Sequence, residues 1–248
     1  MPDVIPIPFF RELVPDGIPY GTFLIIEFEP QSIWYDTSFS LAVQALRNGM
    51  KASYHTFRDR PTKIIDRLSE FGLDVRKLRE EDSLRIIDSY TVQTGIGVAE
   101  KPLGGESFLT DSVKISDWSI EYAKWIKEGA KIPEANRRRL HVDDDTSVIM
   151  RYNKEDEYID YWRTRMVLSY KLAESVLINA FATGVCSQAF YNRVESMSDG
   201  ILEFKTEERE GRIVQLVRVR AMHGRNYDSR WRQLTMLENG EISLIHPA

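Results

Sequence analysis

The chain has 248 residues, enough to bury a sizeable core, and its 42% hydrophobic and 29% charged residues are an ordinary globular balance that argues against extensive disorder. Thirty-three Lys plus Arg against 38 Asp plus Glu leave a formal charge of −5, which argues against a general nucleic-acid binder. The local patch Arg137-Arg138-Arg139 does not overturn that balance.

In chain order, the turn-rich Gly17-Ile18-Pro19-Tyr20-Gly21 precedes Phe23-Leu24-Ile25-Ile26, an apolar run of the kind found in buried strands. A helix is predicted from Asp36 to Arg47, with Phe39, Val43 and Leu46 on one face and Gly49 ending it. Ala52 to Phe57 reads as a second strand. Pro61 then suits a first helical turn, and Ile64, Ile65, Leu68 and Phe71 recur at helical spacing. Leu84 to Asp88 is a third strand, so the order β-α-β-α-β implies crossover connections and a mainly parallel sheet.

Thr91 to Thr110 is glycine-rich and reads as a loop, and Trp118, Tyr122 and Trp125 place a helix over Asp117–Glu128. Leu140-His141-Val142 is a short strand running into Asp143, Asp144 and Asp145, after which Val148–Met150 stays extended or starts a turn. A long helix is predicted over Glu155–Glu174, a strand over Val176–Ala182 and a helix over Gln188–Met197. Ile201–Phe204, Ile213–Val219 and Ile242–Leu244 are strands, with turns at Glu210-Gly211 and Asn239-Gly240, so antiparallel strands close the sheet. With no internal repeat and no clear linker, the expectation is a single domain over residues 1–248.

Cys186 is the one cysteine, which excludes an intramolecular disulfide and a cysteine-based zinc site within one chain. Met1 to Phe10 lacks the basic start and apolar run of a signal peptide, and no apolar run approaches the ~18 residues of a membrane span. The expected protein is cytoplasmic, with no membrane span.

The order of these segments resembles the KaiC-like branch of RecA-type P-loop ATPases, of the archaeal type. Leu13-Val14-Pro15-Asp16-Gly17-Ile18-Pro19-Tyr20-Gly21 is similar to the family's entry segment. Phe23–Ile26 with Glu27-Phe28-Glu29-Pro30 resembles the strand and Gly-Glu-Pro that open its phosphate loop. Phe71-Gly72-Leu73-Asp74, Leu84–Tyr90, Ser198–Glu203 and Met222-His223-Gly224-Arg225 follow the family's later elements. The resemblance implies an α/β fold of RecA-like three-layer αβα type, with a mainly parallel central sheet and antiparallel C-terminal strands.

The residues that carry the family's chemistry differ. A phosphate loop needs glycine backbone amides around the phosphates, a lysine on the β and γ groups, and a Ser or Thr hydroxyl on magnesium. The matching stretch, Glu29 to Leu41, has no glycine and no lysine and carries about four extra residues. The resemblance puts Ser38 at the lysine and Phe39 at the magnesium hydroxyl, next to Thr37, while Ile33, Trp34 and Tyr35 are bulky enough to fill the site. Arg58 and Asp59 stand at the acidic pair, and arginine cannot act as a general base. Asp144 matches the magnesium-holding aspartate of the Walker B strand, with Asp143 and Asp145 as the neighbouring registers and a solvated acidic turn as the alternative. Ala221 and His223 replace the Lys-x-Arg that reaches a neighbouring subunit.

The expectation is therefore a lost Walker A motif and a vestigial nucleotide site of Glu29, Pro30, Thr37, Ser38, Phe39, Arg58, Asp59, Asp143, Asp144, Ala221 and His223, with no catalytic residue, no metal and no cofactor. Such a pseudo-ATPase would act as a scaffold or regulatory protein through a protein partner or self-association, without nucleic acid. Arg58 is expected to ion-pair with Asp144 or Asp143 in the empty cleft. The alternative is nucleotide or anion binding without turnover, with ATP and Mg, Arg58, Arg60 or Arg137 supplying positive charge and Asp144 holding the metal. An unrelated active site has poor parts. The four histidines lack metal spacing and no Gly-x-Ser-x-Gly elbow is present, although sequence order does not exclude a Ser-His-Asp triad.

Overall fold

The Phe23–Phe28 run forms β1, a strand whose six residues are all buried because parallel strands cover both its edges and helices or turns cover both its faces. The structure is a computed structural model that describes residues 3–90, 137–151, 153–163, 171 and 173–245. Within them α1 (Pro8–Leu13) precedes β1, and α2 (Trp34–Arg47), β2 (Lys51–Thr56), α3 (Pro61–Glu70), α4 (Val75–Glu80) and β3 (Leu84–Asp88) follow it. Next come β4 (Arg139–Asp143), a 3-10 turn (Thr146–Arg151), α5 (Glu155–Tyr161), β5 (Val176–Ala182) and α6 (Gln188–Glu195). The chain closes with β6 (Gly200–Arg209), β7 (Arg212–Met222), β8 (Arg232–Met236) and β9 (Ile242–Leu244).

These strands make one sheet in the order β3-β2-β4-β5-β1-β6-β7-β8-β9. The first six are parallel to one another, and β7, β8 and β9 add antiparallel. The fold class is thus α/β with the mainly parallel sheet and antiparallel C-terminal strands expected from the sequence. The period-2 alternation of the strands sorts the core into two faces. Leu24, Ile26 and Phe28 of β1 join the cluster built with α1, α2 and α3, whereas Phe23 and Ile25 join the cluster of Tyr158 from α5, Trp162 just after it, and Phe190 and Val194 from α6. Two helical layers around one sheet give the three-layer arrangement.

The elements missed from sequence are short. The six residues of α1 and of α4 show too little periodicity, although Asp74 caps α4 by accepting the Lys77 N–H at 3.0 Å. Strand β8 reads Arg-Gln-Leu-Thr-Met, and its two apolar residues, Leu234 and Met236, are too few to mark a strand. Val148–Met150 lies in the 3-10 turn rather than in extended chain. The predicted helix over Asp117–Glu128, the glycine-rich loop before it and residues 164–170 and 172 of the predicted 155–174 helix lie outside the described residues. Among the described residues no helix is long and apolar enough to cross a membrane.

The arginine run at 137–139 is not a basic patch. Arg139 is fully buried at the start of β4, where it donates to Ala52 O at 2.8 Å and Asp82 O at 2.7 Å and pairs with the Asp82 carboxylate at 3.0 Å. Arg137 and Arg138 both pair with Glu174, at 3.3 and 3.2 Å. Arg139 thereby ties β4 to β2 and to the β3 approach. Asp82 keeps Arg85 at 2.6 Å and Lys51 at 3.4 Å, so the loss falls on the buried backbone carbonyls, and Arg139→Ala should lower the unfolding free energy by about 2 kcal/mol in urea denaturation.

Candidate functional site

Parallel strands present their carboxyl ends along one edge, and in open α/β sheets ligands collect there. At this edge β1 leaves through the five-residue loop Glu29–Ile33, and α2 begins at Trp34. Glu29 is held against β6, its Oε2 accepting the Thr206 N–H at 2.8 Å and hydroxyl at 2.9 Å, while Pro30 is exposed. The Ile33 N–H, at the start of the helix, donates to Gln215 Oε1 at 2.8 Å. A helix start is otherwise a place where backbone N–H groups meet an anion.

The bulky residues then fill the space. Trp34 is fully buried, its indole N–H donating to Asp144 O at 2.8 Å and its ring meeting Phe204 edge-on at 5.2 Å. Tyr35 donates its hydroxyl to Asp145 Oδ2 at 2.7 Å. Burial and the Asp145 charge push the phenol pKa up, which keeps Tyr35 a donor. The Arg58 guanidinium lies over the Tyr35 ring at 3.7 Å, a cation–π contact, and pairs with Asp59 at 3.5 Å. The ion pair between Arg58 and Asp143 or Asp144 is therefore replaced. Arg58 stays half out in solvent, and its link to the aspartates runs through Tyr35 to Asp145.

The residues aligned with the phosphate-binding lysine and hydroxyl lie inside α2. The extra residues of the stretch are helical, so Thr37, Ser38 and Phe39 sit a full turn into the helix rather than on a loop. Thr37 Oγ1 bonds back to Ile33 O at 2.9 Å, Ser38 Oγ meets Tyr54 OH at 2.7 Å, and Phe39 stacks on Tyr54 with centroids 4.8 Å apart.

The three aspartates divide between faces. Asp143 ends β4 and accepts from Asn179 Nδ2 at 3.1 Å, with His55 Nδ1 at 3.3 Å. Asp144 is buried and its Oδ1 accepts the Phe57 N–H at 2.9 Å. Burial pushes its pKa up to about 7, eased by the Phe57 bond and raised again by the Asp145 charge. Asp145 is also raised by burial, offset by hydrogen bonds from the Ser147 and Tyr35 hydroxyls. Ala221 and His223 stand elsewhere. The end of β7 pairs with the start of β6, so both lie at the opposite edge of the sheet from Glu29 and Asp144. Among the described residues no cluster of three or more His, Cys, Asp or Glu is placed to hold a metal.

A family model described as "ATPase: KaiC" matches residues 6–247. The chain belongs to the KaiC ATPase family. This KaiC-family chain is 22% identical to a UPF0273 protein of Aeropyrum pernix over 95% of its own length and 90% of that protein's. It is also 22% identical to a UPF0273 protein of Pyrococcus furiosus, over 95% and 91%. Among solved structures, a KaiC-like protein of Pyrococcus horikoshii superposes with a TM-score of 0.69 at 15% identity, covering 99% of both chains. An uncharacterized protein of Pyrococcus horikoshii, crystallised in complex with an unknown peptide, gives 0.73 at 18% identity over 94% of both. At these identities the structures establish the fold.

Two groups of functional-type residues escaped the sequence reading of this KaiC-family chain. One is His55, Asn179 and Ser89, which only strand register and the fold bring to the expected Asp143. The other lies on the sheet face beyond α6. A bulge between β6 and β7 leaves Arg220 without a cross-strand partner and aims it at three carboxylates, Glu27 at 3.1 Å, Glu195 at 2.6 Å and Glu203 at 2.9 Å. Burial and the adjoining Glu195 push Glu27 up to about 7 against the pull of Arg220.

Asp144 gives a pH signature. Its folded pKa of about 7 exceeds the unfolded carboxylate value, so the folded state holds the extra proton and stability falls as pH rises from about 4 to 7. Asp144→Asn keeps an acceptor for Phe57 N–H without a charge. The variant should therefore gain stability relative to the native chain between pH 5 and pH 8, read by denaturant midpoints at the two values.

Proposed function

We propose that this KaiC-family chain keeps the RecA-like framework without hydrolysing ATP and acts as a scaffold or regulatory protein through a protein partner or self-association. The reading rests on the β1–α2 junction, where Trp34 and Tyr35 bond directly to Asp144 and Asp145 across the space a magnesium phosphate would need. Rate enhancement in phosphoryl transfer comes mostly from positioning and charge stabilisation. Here the loop has no glycine and no lysine, the helix start is taken by Gln215, and the aligned Ser38 is turned to Tyr54. The Walker A motif is read as degenerate on these grounds, with no cofactor required. The peptide crystallised on the structurally similar Pyrococcus horikoshii protein favours protein contacts as the working mode.

A second reading, nucleotide or anion binding through a non-standard loop, is favoured by one observation. The Arg58 side chain is 40% exposed beside the Tyr35–Asp145 pair, and a guanidinium suits phosphate. In that case Asp144 would hold magnesium. Isothermal titration with ATP and ADP, with and without magnesium, separates the two. No heat at millimolar nucleotide is expected. Micromolar, magnesium-dependent binding that weakens at least about tenfold in Arg58→Ala would overturn the first reading and establish the second.

A further inference from the structure

We propose that Ser89, His55 and Asp143 form a nucleophile–base–acid triad at the carboxyl edge of the sheet, able to hydrolyse short carboxylic esters. Strand register builds it. His55 on β2 pairs with Asp143 on β4, and Asp143 with Asn179 on β5, so the three side chains stand in one row on the α5–α6 face. Ile87 on β3 pairs with His55 on the other side, and Ser89 lies two residues further on, past the strand end. Four neighbouring strands thus supply one relay.

The distances suit acyl transfer. His55 Nε2 lies 2.7 Å from Ser89 Oγ, and His55 Nδ1 lies 3.3 Å from Asp143 Oδ1. A carboxylate facing Nδ1 keeps the imidazole proton there, which leaves Nε2 to accept the serine proton. Each member is oriented by the next. Asn179 donates to Asp143 at 3.1 Å, the Phe57 ring lies 4.1 Å from the imidazole, and the Ser89 N–H is fixed to Thr56 O at 3.0 Å. Nucleophile, base and orienting group in sequence are the arrangement that activates a hydroxyl. Ser89 is 6% exposed, so the smallest activated ester, an acetyl ester, is the suitable probe.

In the reaction, Ser89 Oγ adds to the ester carbonyl carbon while its proton passes to His55 Nε2. The tetrahedral adduct collapses, breaking the bond to the alcohol oxygen, which leaves with the proton from His55. Water then adds to the acyl-serine by the same route, releasing the acid and restoring Ser89. Asp143 touches no substrate atom. It is a positioning residue that stabilises the imidazolium. The triad shares Asp143 with the expected nucleotide site, but covalent labelling of Ser89 and nucleotide titration read different ligands, so the two proposals fail separately.

The test uses the full chain with p-nitrophenyl acetate and a fluorophosphonate probe, with the adduct located by peptide mass mapping. One adduct at Ser89 is expected. Ser89→Ala should lose it and lower ester hydrolysis at least about 100-fold. Asp143→Asn should lower kcat with KM little changed, a split that general loosening of the fold would not produce. Ser89→Cys keeps a nucleophile and should be alkylated by iodoacetamide at position 89, more slowly once His55→Gln is added. Absence of any adduct at position 89 in the native chain, or equal hydrolysis by the native chain and a folded Ser89→Ala, overturns the proposal. Should Ser89→Ala fail to fold, alkylation at position 89 that is indifferent to His55 overturns it equally.

Discussion

The space at the carboxyl edge of the sheet is governed by one hydrogen bond, from the Trp34 indole to the Asp144 carbonyl. It joins the first turn of α2 to the end of β4 across β1 and β5. A buried indole without an acceptor would be costly, and a carbonyl at a strand end has lost its ladder partner, so each group satisfies the other. Once Trp34 is placed, Phe28 and Phe204 close around its ring, Tyr35 reaches Asp145, and Arg58 settles on the exposed face of Tyr35. The loop from Glu29 to Ile33 then has only five residues in which to cross from strand to helix.

The same edge concentrates charge that burial disfavours. Asp143, Asp144 and Asp145 follow one another at the end of β4, and all three are buried. The fold deals with them separately. Asp143 turns to the α5–α6 face and its amide and imidazole neighbours, Asp144 takes a backbone N–H, and Asp145 takes two hydroxyls. Where donors do not fully offset desolvation the carboxyl is pushed toward neutrality, as at Asp144. Glu27 reaches the same compromise further along the sheet, where Arg220 serves three glutamates.

Much of the framework was legible from periodicity and punctuation. The helix at α2 and the strands at β1, β2, β3 and β5 follow from apolar spacing, and the Glu210-Gly211 turn from its residues, whose φ angles of 52° and 73° a hairpin requires. Less was legible at the candidate site. The helix expected over Asp36–Arg47 already holds Thr37, Ser38 and Phe39, but it carries no sign that the helix starts two residues earlier, at Trp34. In the structure Trp34 and Tyr35 begin the helix early and anchor it. The cost of a buried, unpaired guanidinium points Arg58 at Asp143 or Asp144, but half exposed over Tyr35 and beside Asp59 it avoids that cost.

The sequence by itself determined the alternation of strands and helices, the antiparallel close and the residue types along the β1–α2 junction. Those depend on local spacing and side-chain volume, which a linear chain carries within a few residues. Only the tertiary structure decided which face each aspartate takes, that Gln215 meets the start of α2, and that His55, Asp143, Asn179 and Ser89 share one row. Strand order and register set those relations. The chain must cross the sheet between each pair of parallel neighbours, so residues 36 apart, such as Asp143 and Asn179, become adjacent without any sequence signal that they do.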